Sequence, residues 1–138
     1  MHGGRGACVV LPAANTSLNG HWDFPVTRPF TLLGEAAVHL QATVGGIDAE
    51  IDPLLWDVAP DGSATLVTRG AYRFIGSPGA VIIELPLQGN GWDFVVGHTI
   101  RLEVTQNDAP YLRVDNAASA IVYKSVRLTL PTPTVPSA

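Results

Sequence analysis

The sequence predicts an all-β chain folded as an antiparallel sandwich. Three observations predict it. Apolar residues recur at every second position in one segment after another, the period of a strand. The segments are short and are separated by turn residues such as Pro60-Asp61-Gly62, Gly76-Ser77-Pro78-Gly79 and Gly89-Asn90-Gly91. No stretch carries the three-and-four spacing of an amphipathic helix. Many short strands broken by regular turns point to two packed antiparallel sheets. A length of 138 residues suits one such domain with one core. A single domain is expected over residues 1–138, with 1–6 and 131–138 as loose ends.

The elements follow in order. Ala7-Cys8-Val9-Val10-Leu11 is an apolar run stopped by Pro12 and reads as the first strand. Ala13 to Gly20 reads as a polar loop. Trp22 to Val26 reads as a short edge strand, where Pro25 is tolerated because an edge residue can lack its N–H. From Phe30 to Val44 the even positions, among them Leu32, Val38, Leu40 and Val44, form a face to be buried. The odd positions, among them Leu33, Ala37, His39 and Gln41, form a mixed face. Gly34 is expected to bend this strand and Gly45-Gly46 to end it.

Asp48 to Ile51 leads into Leu54-Leu55-Trp56-Asp57-Val58, a strand that runs into the Pro60-Asp61-Gly62 turn and returns through Thr65 to Thr68 as a hairpin. Pro53 predicts an edge position or a bulge here. Trp56 has the most apolar surface to bury, and Leu54 and Val58 share its face. Strands are also expected near Tyr72 to Phe74, Val81 to Leu87, Trp92 to Phe94 and Thr99 to Thr105. In the last of these Ile100, Leu102 and Val104 point inward and Arg101 and Glu103 outward. Tyr111 to Val114 reads as short and extended. In the final strand, about Ala120 to Leu130, Ile121 and Tyr123 fit one parity and Val126, Leu128 and Leu130 the other. A bulge near Lys124-Ser125 is expected to restore the inward face.

Composition narrows the function classes. Apolar residues make up 46% of the chain, enough to fold, and charged residues only 14%, below the usual quarter. Two readings of the low charge are open: surface covered by another protein or domain, or outer faces rich in Ser, Thr and Gly. The net charge is −4, Lys124 is the only lysine, and the seven arginines are scattered. Clustered positive charge is what nucleic acid requires, so that class is excluded. No run of about eighteen apolar residues is present to span a membrane as a helix. The amino terminus, Met1 to Gly6, lacks the long apolar region of a signal peptide and reads as a start made inside something longer or at an artificial boundary. Cys8, the only cysteine, allows no internal disulfide and fixes no compartment.

Leu54-Trp56-Asp57-Val58-Ala59-Pro60-Asp61-Gly62, then Leu66 to Gly70 and Tyr72-Arg73, resembles the carboxy-terminal non-catalytic domain of the X-prolyl dipeptidyl-peptidases. Cocaine esterase and related α/β-hydrolases carry the same kind of domain. Gly97-His98 followed by Ile100, Leu102 and Val104, then Asp108-Ala109-Pro110, is similar to its later half. The resemblance extends from about Phe30 to Leu130. It implies a jelly-roll sandwich, galactose-binding-domain-like, that packs on a catalytic α/β-hydrolase domain and helps wall its active site. The catalytic serine, aspartate and histidine of that family belong to the hydrolase domain, which this chain lacks, as it lacks any Gly-x-Ser-x-Gly elbow.

The residues themselves name no reaction, cofactor or metal site. His2, His21, His39 and His98 show no ligand spacing. His98 is read as tying a turn to backbone, and Asp57 and Asp61 as bonding turn amides. Asp48, Glu50 and Asp52 supply oxygens but lack a calcium loop's pattern. No Ser or Thr has an identifiable base. The leading expectation is a non-catalytic module that docks on or completes a hydrolase. Leu33, Ala37 and Ile82, on the strand faces opposite the main core row, are the candidate interface residues, for a hydrolase or for self-association. The rival expectation is a carbohydrate-binding module with Trp22, Trp92 or Tyr111 as the stacking face.

Overall fold

A computed structural model describes residues 10–11, 19–108, 111–112 and 119–133, which hold eleven strands and no helix. They are β1 (Val10–Leu11), β2 (Gly20–Pro25), β3 (Phe30–Gly34), β4 (Ala37–Val44), β5 (Asp48–Val58), β6 (Ala64–Arg69), β7 (Tyr72–Ile75), β8 (Gly79–Pro86), β9 (Asn90–Phe94), β10 (Thr99–Thr105) and β11 (Ile121–Thr129). Of the expected first strand, residues 7–9 lie outside the described residues, as do 113–114 of the expected extended stretch at Tyr111.

One sheet has the order β1-β6-β5-β10-β2, with β7 pairing the start of β5; a second runs β11-β4-β8; β3 and β9 form a ribbon. Val38 and Leu40 of β4, Ile83 and Leu85 of β8, Ile51 and Leu55 of β5, and Ile100, Leu102 and Val104 of β10 belong to one buried cluster. The two larger sheets therefore pack face to face as an antiparallel β-sandwich. Leu32 and Phe94 bring the ribbon into the same core, and Phe30 stacks on Phe94 with centroids 5.1 Å apart. Each aliphatic side chain so buried contributes ~1.5–3 kcal/mol relative to exposure.

The long alternating segment from Phe30 divides where the sequence predicts. Gly34 has φ +119°, a conformation that a side chain would strain, and the strand resumes at Ala37. In β11, Tyr123 pairs with Ala42 and Ser125 with Gln41, so Lys124 is the extra residue of a bulge that switches the inward parity. The Pro60-Asp61-Gly62 turn closes through Gly62 N–H to Ala59 C=O at 2.9 Å. The Asp61 carboxylate accepts from the Ser63 N–H at 2.9 Å and from its hydroxyl at 2.7 Å.

β5 departs from expectation in two ways. It is an interior strand, between β6 and β10, although it contains Pro53. Pro53 sits where the ladder to β6 ends, between the partners Leu54↔Arg69 and Ile51↔Tyr72, and its carbonyl accepts from Gly70 N–H at 2.9 Å. Its missing N–H thus faces the gap between β6 and β7 and costs no ladder bond. The bulge is on β6, where Val67 is the extra residue opposite Leu55 and Trp56. The chain crosses that gap at Gly70 close to β8. A Cβ there would stand 2.9 Å from Leu87 Cδ2 and 3.1 Å from the Pro86 carbonyl oxygen, so glycine is required by packing. The second departure is Trp56. It is buried with Leu54, and Val58 packs against them, but this cluster, completed by Ala64 and Leu66, lies on the face of the sheet opposite the main core.

Candidate docking surface

Register fixes what the outer face of the β11-β4-β8 sheet presents. Its rows are Thr129–Ala37–Pro86, Arg127–His39–Glu84, Ser125–Gln41–Ile82 and Val122–Thr43–Ala80. Ile82 and Val122 are 72% and 62% exposed. Of the three interface residues read from sequence, Ala37 and Ile82 share this face, two rows apart. Leu33 lies on the ribbon, opposite Gly91, and is 58% exposed. The central column His39–Gln41–Thr43 separates Ile82 from Val122, and the Arg127–His39–Glu84 row separates both from Ala37, so the face is a mixed surface.

The three aromatic candidates lie apart. Trp22, on the edge strand β2, meets Tyr123 edge-on at 5.6 Å and packs against the main core. Trp92, on the ribbon, donates its Nε1–H to Asp57 Oδ2 at 3.0 Å. It lines an open hollow with Thr31, Gly91 and Asp93. Tyr111 lies under the Arg69 guanidinium, 4.4 Å from its ring centroid, and its hydroxyl bonds to the Gln88 amide. Each ring has an intramolecular partner, and no two of the three share a site.

Asp57 does not bond turn amides. It is buried at the end of β5, where it accepts from Trp92 and pairs with His98 Nδ1 at 2.8 Å. A carboxylate taken out of water needs such partners, and here they join β5 to β9 and to the turn before β10. The His98 carbonyl in turn accepts from Val26 N–H at 2.9 Å. Sequence reasoning missed this hub, although the odd parity of Asp57, shared with core residues Ile51 and Leu55, was the available signal. An Asp–His pair orients a base, but among the described residues no hydroxyl or thiol bonds to His98, so the pair braces the fold.

The acidic run on β5 is divided by its surroundings. Asp48 is held below the usual carboxylate range by its two bonds to the Arg73 guanidinium. Asp52 is fully buried on the outer side of the sheet, paired in register with Thr105, and neither of its oxygens has a hydrogen-bond partner among the described residues. Burial, reinforced by the charges of Glu50 and Asp108, pushes it up to about 7. Asp108 itself accepts from Arg69 at 2.9 Å, and Glu103 accepts from Trp56 Nε1 at 2.9 Å and Asn19 at 2.7 Å. No group of three His, Cys, Asp or Glu among the described residues is placed to hold a metal ion.

Comparisons with known proteins set this geometry in context. The family described as the X-Pro dipeptidyl-peptidase C-terminal non-catalytic domain matches residues 20–125. No curated protein matches the chain. Among solved structures, the CocE/NonD family hydrolase of Staphylococcus aureus superposes with a TM-score of 0.68 at 13% identity, covering 91% of this chain and 32% of that one. An α-amino acid ester hydrolase gives 0.64 at 21% identity, covering 82% and 25%. An aminopeptidase from the marine sediment archaeon Thaumarchaeota archaeon gives 0.62 at 21% identity, covering 70% and 19%. At these identities the likeness is one of fold. The chain spans between a fifth and a third of the length of these proteins.

Proposed function

The chain belongs to the X-Pro dipeptidyl-peptidase C-terminal non-catalytic domain family, and from that premise we propose that it docks on, or completes, an α/β-hydrolase catalytic domain. The observation that carries this reading is the family match over residues 20–125, a domain defined as non-catalytic. The three structural relatives named above are larger hydrolases or peptidases, which supports a partner of that class. The chain's own chemistry supports a structural role as well. It contains no Gly-x-Ser-x-Gly elbow, and its Asp57–His98 pair spends the carboxylate on bracing three segments. Neither the family description nor the names of those relatives speaks of a sugar, and the rings of Trp22, Trp92 and Tyr111 are dispersed.

Co-expression with the catalytic domain of a CocE/NonD-type α/β-hydrolase tests the proposal. The expected result is a co-eluting complex in which the hydrolase melts at a higher temperature than alone. Separate elution with no change in either melting temperature overturns it, as does ester turnover by the isolated chain that disappears on changing one of its own residues.

A further inference from the structure

We propose that the open edge of β8 is a docking strand for a second copy of this chain, paired antiparallel across a two-fold axis at Ile82. The inference does not depend on the hydrolase reading. It starts from where the backbone groups of β8 point. Leu87 N–H donates to Ala36 C=O at 2.8 Å, which makes that pair a hydrogen-bonded one. In an antiparallel ladder such pairs alternate with non-bonded ones. The odd residues of β8 therefore bond to β4, and the main-chain groups of Ala80, Ile82 and Glu84 point away from it. Pro86, which has no N–H, falls in a non-bonded pair with Ala37, as this assignment requires. Among the described residues no strand pairs with that outward edge.

Three other edges are blunted. β11 carries the Lys124 bulge and Arg127, β2 carries Asp23 and Pro25, and β7 has four residues. The stretch Ala80 to Glu84 has no bulge and no proline, and its single charge is Glu84. Such an edge accepts an extended segment, and a second β8 is self-complementary to it. With Ile82 opposite Ile82, Ala80 of each copy falls opposite Glu84 of the other. Every outward N–H and C=O from Ala80 to Glu84 is then satisfied, by about six main-chain hydrogen bonds, two for each of three residue pairs. On the outer face the two Ile82 side chains meet between the Gln41 positions. On the inner face Val81 meets Ile83, which carries the core across the boundary. Charge permits this register: each Glu84 faces a small Ala80, and the two carboxylates stand ~14 Å apart along the strands, beyond the screening length of ~8 Å at physiological ionic strength. Five paired residues span only ~17 Å of edge, less than a standard interface needs, so the dimer is weak and depends on concentration.

Cysteine cross-linking in a Cys8→Ser background tests the register. Directly opposed residues of a hydrogen-bonded pair have Cα atoms ~5.5 Å apart, within disulfide reach. Ile82→Cys is expected to cross-link under mild oxidation at least about tenfold faster than Val122→Cys, a control on the same face that is also well exposed. A mixture of Ala80→Cys and Glu84→Cys is expected to give the mixed dimer, and neither alone to cross-link. Ile82→Pro removes an N–H that the sandwich does not use, so it is expected to keep its circular dichroism and melting temperature while losing the dimer in sedimentation equilibrium at several hundred micromolar. A parent chain that stays monomeric there, with Ile82→Cys no faster than the control, overturns the proposal. Should Ile82→Pro fail to fold, the cross-linking pattern alone decides.

Discussion

The outer faces of the two main sheets obey the same alternation and end in opposite states. On β4 the residues pointing away from the core, such as Gln41 and Thr43, are partly or fully exposed. On β5 the corresponding residues Asp52, Leu54 and Trp56 are buried, and so are Glu103 and Thr105 beside them on β10. Alternation determines which side of a sheet a residue takes, and burial depends on what lies over that side. The exposed face carries isolated apolar side chains at Ile82 and Val122. The buried one holds a tryptophan tied to a carboxylate and an aspartate with no hydrogen bond among the described residues.

Mutations that separate the two faces sharpen this comparison. The largest effect is expected at Trp56, whose replacement by Ala empties the second cluster and leaves the buried Glu103 Oε2 without its indole donor. Urea denaturation should show a loss of about 3–5 kcal/mol. A loss below about 1 kcal/mol would mean that the second cluster contributes little and that the main core alone holds the fold.

A pH effect of intermediate size is expected from Asp52. Its carboxyl binds a proton more tightly folded than unfolded, about 7 against 3.8, so its contribution favours folding fully below about pH 4 and is lost as pH rises through about 7. The lost stability is on the order of a few kcal/mol. Asp23, Asp48 and Asp61 are held low by Arg101, Arg73 and Ser63, so their contributions fail only as pH falls below about 4. Between pH 5 and 8 Asp52 is therefore expected to contribute to the slope. Asp52→Asn should flatten it and be more stable than the parent at pH 8. An unchanged slope in that variant assigns the titration to another group.

The smallest effect is expected on the exposed sheet. Ile82→Ala removes a side chain that is 72% exposed, and the monomer's stability should change by no more than about 0.5 kcal/mol. A loss of 2 kcal/mol in dilute solution, where no dimer forms, would show that this face is covered within the chain.

The sequence by itself determined everything that depends on neighbours along the chain. Alternation placed Leu32, Val38, Leu40, Ile83, Leu85, Ile100 and Leu102 inward, because successive Cβ atoms of a strand point to opposite sides. A parity break exposed the Lys124 bulge, glycine marked the bend at Gly34, and Pro60-Asp61-Gly62 announced its turn. The motifs around Trp56 and His98 also carried the family resemblance, which the match over residues 20–125 bears out. Only the tertiary structure decided what depends on distant partners. Trp56 is joined to Glu103 across 47 residues, and Asp57 to Trp92 and His98 across 35 and 41. Pro53 read as an edge or bulge residue because local rules cannot see that β6 ends and β7 begins on its missing N–H side. In sequence Asp52 is one acid of the run Asp48, Glu50, Asp52, and nothing local marks it as the buried one, because burial is decided by which face another part of the molecule covers.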